Sequence, residues 1–259
     1  RRECDFSTLP AFSVLVDSAC RKHDNPIMRV VSWNMQKNAA AWPYLAGFLR
    51  ADFAFVQNPP PLPDSVNGLL IHSAQHVGKR SVLYASGSNG YRLRSTMSLS
   101  SGGVVATFCK PGQEDLHLLD VNPWTSVTLE SATQMVRELG RANSFFAKKL
   151  PKRVIFAGHL VDNSPASQKR QRGFIRSWSR PSEDEFKPLA KVGLRDCATK
   201  FATPLLPTAR GNNGDTMDDK PFFWASKDAY DNLRQLNVFL DDQILAFGHC
   251  NPIVADYNF

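Results

Sequence analysis

Apolar, β-branched and aromatic residues recur along this chain in short runs, most of them closed by Gly, Pro, Asn or Asp. Runs of this kind at residues 28–33, 53–57, 81–85, 103–109, 116–121, 154–157, 222–225, 236–240 and 253–257 predict β-strands. Apolar positions spaced three and four apart instead predict helices over residues 39–50, 131–149 and 228–235. In the second of these, Met135, Leu139, Phe145 and Phe146 form an apolar stripe beside Arg137, Arg141 and Lys148. Arg92 and Arg94, flanking Leu93, read as an exposed strand face. Residues 1–27 read as an N-terminal extension, helical around residues 9–22 and capped near Ser7 or Thr8, and residues 28–259 as the main domain. Strands interleaved with helices, and many antiparallel-type runs, predict two sheets packed face to face with helices outside.

Composition narrows the class. A chain of 259 residues, 42% hydrophobic and 21% charged, has enough apolar surface for one large globular domain. It contains no run of 18 apolar residues, which argues against a membrane-spanning helix, and its N-terminal apolar stretch at residues 12–16 is short and followed by charge. A cytoplasmic location is the expectation. Cys4, Cys20, Cys109, Cys197 and Cys250 are odd in number and include no CxxC pair, so free thiols are expected rather than a disulfide framework. The formal charge of +7 suits a polyanionic partner.

Six short motifs carry the chemistry. They are Ser32-Trp33-Asn34-Met35-Gln36, residues 53–59 ending in Gln57-Asn58-Pro59, and Leu118-Leu119-Asp120-Val121-Asn122-Pro123. The others are Ala157-Gly158-His159-Leu160-Val161, residues 219–226, and Gly248-His249-Cys250-Asn251-Pro252. In order and spacing they resemble the endonuclease/exonuclease/phosphatase (DNase I-like) superfamily over residues 28–259. The resemblance implies an α+β fold, a four-layer α/β/β/α sandwich of two mainly antiparallel sheets flanked by helices. It also implies that most catalytic positions are substituted. Asn34 matches the family Asn that helps bind metal or phosphate. Asn58 stands where the family has its metal-binding Glu, and Asn122 where it has a catalytic His. His159 and Val161 replace an Asp and an Asn. Pro221 replaces an Asp, with Asp219 two residues earlier on the same face. His249 and Cys250 replace the closing Asp and His.

An amide in place of a carboxylate is a much poorer Mg²⁺ ligand, and Asn is no general acid or base near neutral pH. The resemblance therefore implies a catalytically degenerate scaffold that acts by binding nucleic acid, another phosphate-bearing ligand or a protein partner, with no membrane role. No cofactor is expected on this reading. The alternative is an enzyme, either a phosphodiesterase or nuclease with substitute ligands or a scaffold turned to other chemistry. There His159, His249 and Cys250 would hold Zn²⁺ or another transition metal rather than Mg²⁺, since imidazole and thiolate are borderline to soft donors. Outside the motifs, Lys169, Arg170, Arg172, Arg176 and Arg180, interleaved with Phe174 and Trp178, have the composition of a nucleic-acid-binding segment. Cations there would neutralise phosphates and aromatics would stack on bases. A solvated basic loop is the bland reading of the same residues.

Overall fold

The computed structural model describes residues 27–61, 68–72, 81–98, 103–121, 150–159, 189–201, 221–241, 244 and 250–259. Among the described residues, twelve strands fall into two six-stranded sheets. The first sheet, in the order β11-β12-β1-β2-β4-β3, joins Leu233–Val238, Ile253–Tyr257, Met28–Asn34, Phe53–Gln57, Ser81–Ser86 and Gly68–His72. The second, β5-β6-β7-β8-β10-β9, joins Arg92–Ser98, Gly103–Cys109, Leu116–Val121, Arg153–His159, Pro221–Ala225 and Arg195–Asp196. Pairing is antiparallel except between β1 and β2 and between β7 and β8.

Side-chain alternation sorts each strand between two layers. Val30, Phe53, Phe55, Leu83, Ile253 and Ala255 of the first sheet meet Val104, Ala106, Phe108, Leu116, Leu118, Ile155 and Phe223 of the second in one buried cluster. The opposite face of the first sheet offers Val31, Trp33, Ala54, Val56 and Val254, which pack on Trp42, Leu45 and Leu49. These last residues belong to an outer helical layer. Sequence spacing predicts a regular helix over 39–50; the chain instead forms α1, Ala41–Pro43, and continues as a π-helical turn, Tyr44–Phe48, closed by Leu49 N–H donating to the Tyr44 carbonyl at 2.9 Å. Trp42 and Leu45, both fully buried, face the sheet from this widened turn.

Two other departures have local causes. The helix predicted over 228–235 ends earlier: α2 spans Lys227–Asn232, and Leu233 begins β11. Lys200 Nζ donates to the carbonyls of Tyr230, Asp231 and Leu233 at 2.6–2.8 Å, which satisfies the end of the helix. Leu233, Leu236 and Val238 then turn into the core. Strands β3 and β9 are absent from the sequence reading. In β3, Gly68 lies so close to Tyr84 that a Cβ would fall 2.3 Å from the ring, so only glycine fits the pairing. The predicted helices over 9–22 and 131–149 lie outside the described residues.

The start of β1 is clamped on both sides. Arg29 makes a bidentate pair with Asp256 of β12, 2.7 and 2.9 Å, and gives a third bond to the Leu49 carbonyl at 3.1 Å. Its backbone N–H donates to Asp52 at 2.8 Å, and Asp52 N–H returns to the Arg29 carbonyl at 2.9 Å. Replacing Asp256 by Ala should leave a half-buried guanidinium with only one side-chain bond. The expected loss is about 2 kcal/mol, a fall in Tm of roughly 4–8 °C, read by thermal unfolding.

Burial also governs His117 on β7, which shares a 3.0 Å hydrogen bond with Thr107 and whose pKa burial lowers, Asp115 partly opposing. The unfolded chain therefore takes up a proton here that the folded chain refuses. Stability should fall as pH drops below about 6.5, and a His117→Gln variant should show a shallower fall over that window in urea titrations.

Candidate functional site

Strands β1 and β8 begin at the same end of the sandwich. Met28 pairs with Tyr257, the ring of Phe259 stacks on Tyr257 at 5.3 Å, and the Arg153 guanidinium lies 4.4 Å over that Phe259 ring. Their last residues, Asn34 and His159, thus finish at the opposite rim, one on each sheet. Among the described motif residues, Asn34 and Asn58 meet at this rim and Cys250 touches its loop through Gln36.

Parity places a polar row on the inner face of the first sheet at this rim. Asn34 pairs in register with Gln57, and Gln57 with Ser81. The β1–β12 ladder runs from Met28↔Tyr257 to Ser32↔Ile253, and Asn251 lies two residues before the start of β12. Gln57, Ser81 and Asn251 are buried at 2%, 0% and 2% exposure, and Asn34 is half-buried at the edge. On the facing sheet Asp120, in register with Val104 and Ala157, is fully buried on the same inner side. Sequence reading singled out Asn34 alone from this row. Period-two counting from Phe55 and Leu83 is the signal that finds Gln57 and Ser81, and counting from Leu118 finds Asp120.

The structure brings Asn34 and Asn58 together. Asn34 Oδ1 accepts from Gln36 N–H at 3.2 Å and from Asn58 Nδ2 at 3.0 Å. The backbone donor fixes which amide atom is oxygen, so Asn58 must present its nitrogen to Asn34 and keep its own oxygen for another partner. Lys37 N–H donates to the Asn58 carbonyl at 2.8 Å, and Met35 N–H to the Gln57 carbonyl at 3.0 Å. These bonds hold Gln36, Lys37 and Asn58 at φ of 49°, 65° and 46°. Left-handed backbone at non-glycine residues is unfavourable and concentrates at functional sites.

Cys250 joins the same loop. Its thiol accepts from Gln36 Nε2 at 3.2 Å and its carbonyl from the Trp33 indole at 2.9 Å. The residue is buried, as expected for a free thiol. Of the other predicted site residues, His159 closes β8 in register with Pro221. Its side chain, and Asn122, His249, Lys169, Arg170, Arg172, Arg176, Trp178 and Arg180 entirely, lie outside the described residues.

The donor set can be tested against the metal that the motifs imply. Mg²⁺ takes hard oxygen ligands, usually including carboxylates. Both acceptor directions of Asn34 Oδ1 are already used, and Asn58 can offer only a neutral amide oxygen. Asp120 is buried and engaged with neighbours of its own. These residues make a poor Mg²⁺ site. Among the described residues there is also no cluster of three His, Cys, Asp or Glu side chains placed to hold a metal. What Asn34, Asn58 and Gln36 can do is exchange neutral hydrogen bonds with a polar ligand at the rim.

No protein-family model matches this sequence, and no curated protein does. Solved structures do match in shape. The endonuclease domain of TRAS1, a telomere-specific non-LTR retrotransposon, superposes with a TM-score of 0.64 at 16% identity, covering 90% of this chain and 99% of that one. A Neisseria 3′ phosphatase, NExo, bound to a product DNA hairpin, gives 0.63 at 14% identity, covering 90% and 100%. An AP endonuclease from Archaeoglobus fulgidus gives 0.60 at 12% identity over the same shares. With its two facing six-stranded sheets, the chain has the DNase I-like fold of the endonuclease/exonuclease/phosphatase structures.

Proposed function

We propose that this protein is a catalytically degenerate relative of the DNase I-like phosphoesterases that acts by binding nucleic acid. The observation that carries the reading is the bonding of Asn34: its oxygen is consumed by Gln36 N–H and by Asn58, the residue at the family's Glu position. A lost acid or base role costs roughly 10²–10⁴ in rate, and a lost metal cage removes the electrostatic stabilisation the phosphoryl reaction needs. Nucleic acid is favoured as the ligand by the net charge of +7 and by the fold, since the similar NExo structure holds a DNA hairpin. The Lys169–Arg180 segment supplies the backbone-binding cations of this reading, and no cofactor is part of it. No helix among the described residues is long and apolar enough to cross a membrane.

The direct test is turnover. Labelled DNA and RNA, single- and double-stranded, are incubated with the protein in Mg²⁺, and no product is expected above that made by Asn34→Ala. Robust cleavage by the wild type, abolished in Asn34→Ala, would defeat the reading and favour an active enzyme. Metal analysis of the purified protein, with a His159→Ala/His249→Ala comparison, tests the transition-metal alternative.

Binding itself should depend steeply on salt. If about four cations of the 169–180 segment contact phosphates, log K should fall against log salt with a slope of roughly −3 to −4. Reversing the charges of Arg170, Arg172 and Arg176 should remove most of that slope while circular dichroism stays unchanged. Binding untouched by those changes would exclude the segment as the contact surface.

A further inference from the structure

The end of the sandwich opposite the rim holds a cavity of about 390 Å³, and no residue named at the rim lines it. Asp52, just before β2, lines it from the first sheet, and Lys110 and Gln113, in the turn between β6 and β7, line it from the second. Met28, Tyr91 and Phe259 add apolar surface. Backbone bonding fixes both walls. The Asp52 carbonyl accepts from Ser86 N–H at 2.8 Å and from Asn89 Nδ2 at 2.9 Å, and Asn89 Oδ1 accepts from Tyr91 N–H at 2.9 Å. Residues 86–91, which link the two sheets, are thereby tied to the Asp52 backbone. On the second sheet Gln113 N–H donates to the Lys110 carbonyl at 3.1 Å around Pro111 and Gly112. Gly112, at φ 75°, takes the left-handed position that a Pro-Gly turn of this kind requires. The turn keeps Lys110 and Gln113 within one hydrogen-bonded loop.

The polar groups of the cavity are only half used. Asp52 Oδ2 accepts from Arg29 N–H at 2.8 Å, and among the described residues Oδ1 has no donor. Burial raises the Asp52 pKa, with that backbone bond and Lys110 partly opposing. Lys110 is thus near enough to act on the carboxylate, yet no ion pair joins the two; its Nζ lies 5.1 Å over the Tyr91 ring. Gln113 Oε1 accepts from Tyr91 OH at 2.9 Å and from Arg153 at 3.3 Å, which leaves its Nε2 hydrogens. One wall therefore offers a carboxylate oxygen, and the other a cation and an amide donor. A small anion would answer Lys110 and be repelled by Asp52; a small cation would do the reverse. A molecule carrying both charges satisfies both walls, with a charge-assisted hydrogen bond at each end.

We propose that this cavity binds a small zwitterion, a free α-amino acid with an apolar side chain. Its ammonium sits on Asp52, its carboxylate on Lys110 and Gln113, and its side chain on Met28 and Phe259. The volume lies at the low end for small-ligand pockets, which run from about 300 to 1,000 Å³, and so suits a molecule of this size. The site is separate from the nucleic-acid reading and stands or falls independently of it.

The test is calorimetric titration of the whole chain with leucine, with leucinol, which lacks the carboxylate, and with isocaproate, which lacks the ammonium. Leucine should bind, and each one-ended analogue should bind about tenfold more weakly, the effect of losing one charged contact. Lys110→Met should remove the advantage of leucine over leucinol and keep its advantage over isocaproate. Asp52→Asn, which retains an acceptor for Arg29 N–H, should do the converse. Variants that weaken all three compounds alike would mark a structural defect and overturn the assignment of the two ends. Absence of binding by leucine and phenylalanine at millimolar concentration would overturn the proposal, and so would leucinol binding as tightly as leucine to the wild type. If Asp52→Asn fails to fold, Lys110→Met decides alone: an unchanged ratio of leucine to leucinol affinity there would overturn the proposal.

Discussion

Strand β1 lies between β12 and β2 and is covered on both faces, and this double constraint sets nearly everything at the site. Its inner side chains meet the second sheet and its outer ones meet the layer of Trp42 and Leu45. A slip of one residue would turn Val30 outward and Trp33 inward, so the register admits no alternative. With the register fixed, parity delivers Asn34, Gln57 and Ser81 to one row at the rim. The Arg29–Asp256 pair and the mutual bonds of Arg29 and Asp52 lock the other end of the same ladder.

The amide at position 58 differs from a carboxylate in more than charge. A glutamate there could accept a bond from an asparagine at 34 and leave that asparagine's oxygen for a cation. Asn58 does the opposite: it donates to Asn34 and occupies the oxygen. The Gln36 N–H occupies the remaining direction, and the left-handed backbone at Gln36, Lys37 and Asn58 follows from closing these bonds. The rim is thus a network of neutral amides built on backbone that resists relaxation. The amides of Asn34 and Asn58 can bind by hydrogen bonding, and neither supplies a carboxylate to a hard cation.

Much of the fold was legible in the sequence because the strands are rich in β-branched and aromatic residues and end at turn formers. All nine predicted runs lie on strands, with small shifts at the ends. Exposed β5 was visible in Arg92, Leu93 and Arg94. What escaped was set by tertiary contact: β3 needs a glycine against Tyr84, β9 is two residues long, and the widened turn after α1 answers to burial of Trp42 and Leu45. Helical spacing in 228–235 could not anticipate that Lys200, distant in sequence, would take up the carbonyls at the end of α2. At the site, motif resemblance located Asn34 and Asn58 but not the direction of the bond between them.

The central claim is that the described part of this rim is a neutral amide network and not a cation site. Titration with Mn²⁺, followed by electron paramagnetic resonance as a spectroscopic stand-in for Mg²⁺, tests it most directly. The wild type should show no stoichiometric site and should match Asn34→Ala, whereas Asn58→Glu should gain affinity by supplying one carboxylate. A tight, stoichiometric Mn²⁺ site in the wild type that disappears in Asn34→Ala would contradict the account.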